Sequence, residues 1–479
     1  MATWGFSAVA ASVPEDFDAV IVGAGQAAPP LAARLAGAGQ RVAIVERHLI
    51  GGTCLNVGCT PTKTMVASAY AAHMARRAAD YGICTTGPVT VDLAAVQRRA
   101  WDLVEPRRRA LEEWLSGIEG CELVRGHARF VGPRELAVGE RRLRAHRVFL
   151  DVGGRASAPP WPGLDEVPWL SSTDMLSLKE IPRHLVVIGG GYVGLEFAQM
   201  YRRFGAAVTV IEMGPALLRR EDPVLAAEIQ AILADEGIAV RTRAECIRVA
   251  PHSDGVAVSV DCASGDREIV ASHVLLALGR TPNTGHLGLD AAGIKTDERG
   301  FIVVDDWLRA SAAGVWALGD CNGRGAFTHT SYGDADMVAA NLLDGESRSL
   351  RDRVSAYALY IDPPLGRAGM SEAQARAAGH RVRIGERRMD RVSRAMEKGE
   401  ATHGLMRIVV DADDDRILGA AILGPAGDEA ISSIVMAIGC GAKAADLRRL
   451  TGIHPTVAEL LPSLAGELGP VLEAATAAS

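Results

Sequence analysis

Two stretches of this 479-residue chain repeat one pattern at one spacing. Asp18 to Val22 reads as a short apolar strand. Gly23-Ala24-Gly25-Gln26-Ala27-Ala28 follows, then an Ala/Leu-rich helix to about Gly37, then a strand from Arg41 to Val45 that ends in Glu46. Farther on, the apolar strand His184 to Ile188 leads into Gly189-Gly190-Gly191-Tyr192-Val193-Gly194, a helix, and a strand Ala207 to Ile211 that ends in Glu212. Glu46 lies 23 positions after Gly23, and Glu212 lies 23 positions after Gly189. A strand, a glycine turn, a helix and a second strand with a terminal acid form the setting of a dinucleotide fingerprint. Glycines let backbone amides approach a diphosphate at the helix N-terminus, and the acid accepts hydrogen bonds from a ribose. Gly23, Gly25, Ala28 (in place of a third glycine) and Glu46 are the candidates in the first unit. Gly189, Gly191, Gly194 and Glu212 are those of the second. One glycine-rich turn is often only a loop, whereas two in matching context imply an α/β chain with two dinucleotide sites, FAD and a nicotinamide cofactor.

Between these units stands Gly51-Gly52-Thr53-Cys54-Leu55-Asn56-Val57-Gly58-Cys59-Thr60-Pro61-Thr62-Lys63. An ideal helix holds residues i and i+5 roughly 8–9 Å apart between Cα atoms, beyond the limit of about 7 Å for a disulfide. Pairing of Cys54 with Cys59 therefore requires a bend, which Gly52, Asn56 and Gly58 tolerate. Thr60 reads as an N-cap with Pro61 at the first helical position. Cys59 then sits just before a helix N-terminus, whose dipole favours a thiolate, and Lys63 adds positive charge one turn on. The other six cysteines, Cys84, Cys121, Cys246, Cys262, Cys321 and Cys440, have no informative spacing and are expected to be buried small hydrophobes. No C-x2-C or H-E-x-x-H pattern points to a metal.

The length implies about three domains. The net charge of −7 argues against a nucleic-acid or acidic-membrane binder. No apolar run approaches the roughly 18 residues of a membrane span. Met1 to Glu15 lacks the basic and apolar segments of a signal peptide, so it is expected to be a disordered lead-in to a cytoplasmic protein. Sparse cysteines fit a reducing compartment, where a disulfide is more often catalytic than structural.

The cysteine run with its glycines, Asn56, Pro61 and Lys63 resembles the redox-active disulfide of the flavin-dependent pyridine nucleotide–disulfide oxidoreductases, the family of lipoamide dehydrogenase, glutathione reductase and mercuric reductase. The resemblance spans roughly Asp16 to Gly466, with the motifs in family order. It implies an α/β fold of two Rossmann-like dinucleotide-binding domains, for FAD and NAD(P), with a C-terminal α+β dimerisation domain. The expected divisions are a lead-in at 1–15, an FAD-binding domain in two parts at 16–163 and 284–353, an NAD(P)-binding domain at 164–283, and an interface domain at 354–479.

The resemblance also implies roles. Cys59 is the thiolate beside the flavin, and Cys54 is the outer thiol that exchanges with substrate. Lys63 pairs with Glu196, Tyr192 is the ring covering the nicotinamide pocket, and His454 oriented by Glu459 is the acid–base pair. That pair reaches the partner subunit's disulfide across a homodimer interface. Gly52, Thr53 and Asp320, in the strand-end Val315-Trp316-Ala317-Leu318-Gly319-Asp320, join the FAD residues. Gly279 joins the NAD(P) residues, whereas His329 reads as local structure. Glu212 favours NADH, and Arg219 and Arg220 nearby keep NADPH open. The chain has no N-terminal C-x-x-C domain and no cysteine pair after Leu468, and it keeps the His–Glu pair. In these respects it departs from mercuric reductases. No residue pattern marks a glutathione or lipoamide pocket. The expected acceptor is a small disulfide or similar oxidant, the alternative is a mercuric or cupric ion, and a rival of another class is an NADH-responsive redox sensor.

Overall fold

The repeated pattern folds twice, once in each of two units. The computed structural model describes residues 13–261, 267–400 and 403–475. One unit comprises Met1–Thr62, Arg98–Ser157 and Arg280–Asp352, and the other comprises Lys63–Gln97, Ala158–Gly279 and Arg353–Ser479.

In the first unit the strands Glu15–Val22 and Val42–Glu46 run parallel, with Ala19 opposite Val42 and Ile21 opposite Ile44. Both lie inside a sheet ordered Cys121–Arg125, Val42–Glu46, Glu15–Val22, Arg141–Leu150, Glu135–Val138, Ala128–Gly132, with Val315–Ala317 also paired to Arg141–Leu150. Side chains alternate between faces along a strand. Ala19 and Ile21 join Leu31 and Leu35 of the helix Ala28–Gly37 in one core. Val20 and Val22 join Leu136, Leu143 and Leu150 in another. Burial on both faces is why this strand reads as an unbroken apolar run.

The first strand begins at Glu15, so the expected lead-in loses its last residue. Glu15 pairs with Leu143, and its carboxylate meets Arg141 at 2.6 Å. The rest of that lead-in up to residue 12 lies outside the described residues. Cys121–Arg125 runs parallel to Val42–Glu46. The antiparallel part is confined to Ala128–Gly132, Glu135–Val138 and Arg141–Leu150.

In the second unit His184–Ile188 and Ala207–Ile211 sit inside an all-parallel sheet ordered Ala239–Arg241, Ala207–Ile211, His184–Ile188, His273–Leu276, Trp169–Leu170. A small antiparallel sheet of Glu245–His252, Gly255–Asp261 and Glu268–Ala271 follows. The C-terminal block is an antiparallel sheet ordered Ala356–Leu359, Leu365–Gly369, Ile417–Leu423, Leu405–Asp411, Val382–Arg388, whose core includes Ile431 and Ile434 of the helix Gly427–Gly439. Leu365–Gly369 is a strand the sequence pattern does not announce, because glycines and an arginine break its alternation. The glycine is needed, since a Cβ on Gly366 would lie 2.2 Å from the Gly427 carbonyl oxygen.

Arg367, in that same strand, is 2% exposed, and its Nη1 meets Asp222 Oδ2 at 2.6 Å. Arg407 holds the other Asp222 oxygen at 3.1 Å. Among the described residues no helix is long and apolar enough to cross a membrane. Cys84 and Cys440 are exposed and Cys121 is half-buried, contrary to the expectation of burial, because these elements border solvent. Cys321 alone of the described four is in the core. Cys262 and the side chain of Cys246 lie outside the described residues. Removing one partner of a buried ion pair costs about 3–5 kcal/mol. Arg367→Ala, which leaves Arg407 on Asp222, should fall at the lower end and reduce the thermal midpoint by roughly 3–5 °C in calorimetry. A shift under about 2 °C would show that the pair carries no such weight.

Candidate active site

The bend that a Cys54–Cys59 pair requires is present. A short helix Gly52–Val57 carries Cys54, the chain turns at Gly58, and a second helix, Cys59–Arg76, begins with Cys59. A Cβ on Gly58 would lie 2.8 Å from the Thr53 carbonyl oxygen, so only glycine permits the turn. The expected N-cap at Thr60 is corrected. The Thr62 amide already donates to the Gly58 carbonyl at 3.0 Å, which places Thr60 and Pro61 inside the first turn. Pro61 is still among the first residues, whose N–H groups have no partner in the helix.

Cys54 is half-buried and Cys59 exposed. The hydrogen bond to Cys59 and, after it, burial push the Cys54 thiol well up. Thr328 Oγ1, at the start of the helix Thr328–Ala339, lies 3.3 Å from Cys59 Sγ. Thr328 carried no signal in the sequence. His329 beside it stacks on Phe327 with ring centroids 5.4 Å apart.

The two terminal acids of the repeated pattern make the same contacts. Glu46 accepts from the amides of Ala24 at 2.8 Å and His48 at 2.7 Å. Glu212 accepts from Gly190 at 2.8 Å and Gly214 at 2.6 Å. Each carboxylate thus ties its glycine turn to the loop after its own strand. Two amides leave lone pairs on each for ribose hydroxyls.

Glycines fit the close approaches. A Cβ on Gly52 would lie 2.9 Å from Gly25 Cα, and one on Gly194 would lie 2.1 Å from the Gly189 carbonyl oxygen. Gly191 N-caps the helix Tyr192–Phe204 with nothing within 4 Å of its Cβ position, an open cradle at a helix N-terminus. In the first unit a cleft is lined by Gly23, Glu46, His127, Asp151, Val152 and Asn283. Ala28 is buried at the start of its helix, and Thr53 is exposed one residue after Gly52. These residues fit a dinucleotide in each unit. Gly279 closes its segment at φ +106 with open space around it.

Asp320 meets Arg280 Nε at 3.3 Å, and the adjacent Gly319 amide donates to Asp334 at 2.8 Å. In the second unit Lys63 Nζ lies 2.5 Å from Glu196 Oε2, while the Tyr360 amide donates to Glu196 Oε1 at 3.0 Å. Lys63 also sits 4.8 Å over the Tyr360 ring. His454 Nδ1 is 2.9 Å from Glu459 Oε2, with the imidazole exposed and the carboxylate largely covered. Gly452 makes room, since a Cβ there would lie 2.4 Å from Glu459 Cα. The structure therefore brings together Cys54 with Cys59, Lys63 with Glu196, and His454 with Glu459.

Asp151 is a functional candidate that the sequence reading does not single out. Its carboxyl is fully enclosed, accepts from the Ala28 amide at 3.1 Å, and covers Gly25, whose Cβ would lie 2.8 Å from it. Burial, helped by the nearby Asp320 and Asp334, holds its pKa well above the carboxylate range despite the helix-start amides. An acid whose folded pKa is raised loses its proton first in the unfolded chain. Its contribution is therefore complete below about pH 4 and declines as pH climbs toward the folded value. Asp151→Asn removes that decline. The variant's unfolding free energy relative to wild type should rise from pH 4 to pH 8, with a limiting slope of about 1.4 kcal/mol per pH unit. A flat difference across that range would contradict the assignment.

Residues 17–335 match the family described as pyridine nucleotide-disulphide oxidoreductase, and residues 355–465 match that family's dimerisation domain. The probable pyridine nucleotide-disulfide oxidoreductase RclA of Escherichia coli is 35% identical over 94% of this chain and 98% of its own. A dihydrolipoyl dehydrogenase of Thermus scotoductus is 35% identical over 94% of this chain and 97% of its own. A mercuric reductase of Bacillus cereus is 33% identical over 93% of this chain and 70% of its own. The structure of a Cu(II) complex of the HOCl-induced flavoprotein disulfide reductase RclA from Escherichia coli superposes with a TM-score of 0.85 at 33% identity, covering 94% of this chain and 99% of that one. The family uses FAD and NAD(P)H. This chain, an α/β flavoprotein with a C-terminal dimerisation domain, belongs to the pyridine nucleotide-disulphide oxidoreductases.

Proposed function

We propose that this enzyme reduces a small disulfide, with Cys54 and Cys59 as its redox-active pair. The observation that carries the reading is the five-residue spacing bent at Gly58, with Cys54 half-buried and Cys59 exposed at the start of the next helix. Gly23, Gly25, Ala28, Glu46, Gly52, Thr53 and Asp320 would hold FAD. Gly189, Gly191, Gly194, Glu212 and Gly279 would hold the nicotinamide dinucleotide, with Tyr192 as the ring over its pocket. Bound FAD supplies the path by which two electrons pass from NAD(P)H to sulfur. The domain divisions 16–163 with 284–353, 164–283 and 354–479 follow from these roles.

Opening the Cys54–Cys59 disulfide takes two electrons and two protons and leaves two thiols. Cys54 then attacks the substrate disulfide and releases one thiol, and Cys59 closes on Cys54 to release the other. Attack requires a base for the Cys54 proton. His454, fixed by Glu459 and exposed on its other edge, fills that role for a second copy of the chain. Lys63, neutralised by Glu196, is positioned one turn into the helix that Cys59 begins. Glu212 supports NADH as donor, and the exposed Arg219 and Arg220 leave NADPH admissible.

A homodimer is supported by apolar side chains on the C-terminal domain that stand in solvent: Ile453 at 80% exposure, Met436 at 72% and Leu450 at 60%. Ile453 adjoins His454, so dimer contact and acid–base chemistry are linked in sequence. A second reading, reduction of a metal ion such as Cu(II) or Hg(II), draws on the copper complex of the similar RclA structure and on the mercuric reductases among the relatives.

Anaerobic NADH should expose two additional titratable thiols per wild-type chain and none in Cys54→Ser or Cys59→Ser. His454→Gln should slow small-disulfide turnover by about 10²–10⁴-fold. A panel of disulfides, quinones and metal ions, run with each nicotinamide, ranks the readings. Equal turnover of every acceptor by wild type and the double serine variant would sink the sulfur route altogether, and turnover of metal ions far above disulfides would select the second reading. Ile453→Asp should shift the mass measured by light scattering from dimer to monomer and abolish disulfide turnover in parallel. Dissociation without loss of turnover would separate His454 from the neighbouring subunit's chemistry.

A further inference from the structure

The reading of Tyr192 as the ring over the nicotinamide pocket leaves open what keeps the ring there. Tyr192 is the first residue of the helix Tyr192–Phe204 and is only partly covered. Its hydroxyl donates to Glu221 Oε1 at 2.8 Å, and the Tyr357 hydroxyl donates to the same oxygen at 2.6 Å. The two rings lie 5.5 Å apart at 57°. Glu221 has a side-chain exposure of 0%. Its other oxygen, Oε2, has no hydrogen-bond partner and faces Arg367 Nη1 at 3.6 Å. Arg367 is itself committed to Asp222 at 2.6 Å.

The carboxylate end of this arrangement is fixed. The Glu221 amide donates to the Leu218 carbonyl at 2.8 Å, and the Leu218 amide donates to the Gly190 carbonyl at 3.0 Å, so the turn is tied to the second glycine motif. Asp222 N-caps the helix Pro223–Asp235 and is clamped by Arg367 and Arg407. Burial, with the Glu221 charge after it, holds both phenols above their ordinary range, so both remain donors.

We propose that Glu221 is a latch for Tyr192, and that Tyr357 is the second donor that lets the latch open. A carboxylate left without its donor in a dry site is costly. When Tyr192 swings away, the Tyr357 hydroxyl still serves the same oxygen, so opening breaks one charge-assisted bond and strands no charge. The latch sets the fraction of open pocket, and apparent affinity for the nicotinamide falls with that fraction. Glu221 acts through Tyr192 and is a positioning residue.

This rests on the Tyr192 reading above, and the test separates the two. NAD⁺ dissociation constants, with KM and kcat for NADH, are measured on the FAD-loaded dimer, with flavin content and circular dichroism as controls on folding. Glu221→Gln and Tyr192→Phe should each tighten NAD⁺ binding and lower KM about tenfold, with kcat within about twofold. The double variant should add nothing further. Tyr357→Phe should shift both constants the opposite way, because Glu221 then has Tyr192 alone. A general loosening of structure would not produce opposite signs. If Tyr192→Phe tightens binding but Glu221→Gln does not, or if Glu221→Gln and Tyr357→Phe move together, the latch is wrong and the Tyr192 reading stands. If neither Tyr192→Phe nor Tyr192→Ala alters NAD⁺ binding, the Tyr192 reading fails and the latch fails with it.

Discussion

A carboxylate that receives two backbone amides at the end of each second strand is the interaction on which both glycine turns depend. Glu46 binds the amides of Ala24 and His48, and Glu212 binds those of Gly190 and Gly214. Glycine turns at helix starts expose several amides with no partner in the helix. An acid placed 22 residues later satisfies one of them and pins the following loop at the same time. The groove between turn and loop is then a fixed shape before any ligand arrives, which lowers the ordering cost of binding. An acid chosen only as a ribose ligand would not need both amides. The double contact explains why the acid recurs at an unchanged distance in the two units.

That regularity made much of the fold legible in the sequence. The strands His184–Ile188 and Ala207–Ile211 have the bounds that apolar runs and glycine punctuation indicate. The pairing of His454 with Glu459 was legible only through the family resemblance, since a His before a proline is by itself an ordinary loop-to-helix junction. What escaped reading depends on partners far along the chain. Leu365–Gly369 is a strand because its neighbours supply hydrogen bonds on both sides, although Gly366 and Arg367 disrupt its alternation. Tyr360 matters through its amide on Glu196, which no side-chain pattern can advertise. Arg280 and Thr328 earn their places by proximity to Asp320 and Cys59 across long sequence separations. Asp151 is not singled out in the sequence, and only the position of its carboxyl over Gly25 marks it.

The cysteine segment shows how a small steric fact becomes chemistry. Gly58 ends one helix and lets another start on Cys59, so the sulfurs occupy unlike positions five residues apart. Cys59 is at a helix N-terminus, where the dipole favours negative charge. Cys54 is half-buried and bonded to its neighbour. A symmetric pair would have no reason to release one sulfur to substrate and keep the other. Here the asymmetry is set by backbone geometry before any further charge acts.

Buried charge recurs wherever a turn has to be held. Glu196 is matched by Lys63 and an amide, Asp222 by Arg367 and Arg407, and Asp334 by the Gly319 amide. Such groups are weak contributors to stability, since apolar side chains of equal volume often serve as well. What they define is a place and an orientation, and a fully satisfied carboxylate has no second arrangement to adopt. Two acids depart from that completeness. Asp151 is enclosed with its pKa pushed up, and Glu221 keeps one oxygen without a hydrogen bond while two phenols compete for the other. An incomplete site is one whose energy changes when a neighbour moves or a proton arrives. These are therefore the positions where the fold has room to respond, and each lies beside one of the two glycine turns.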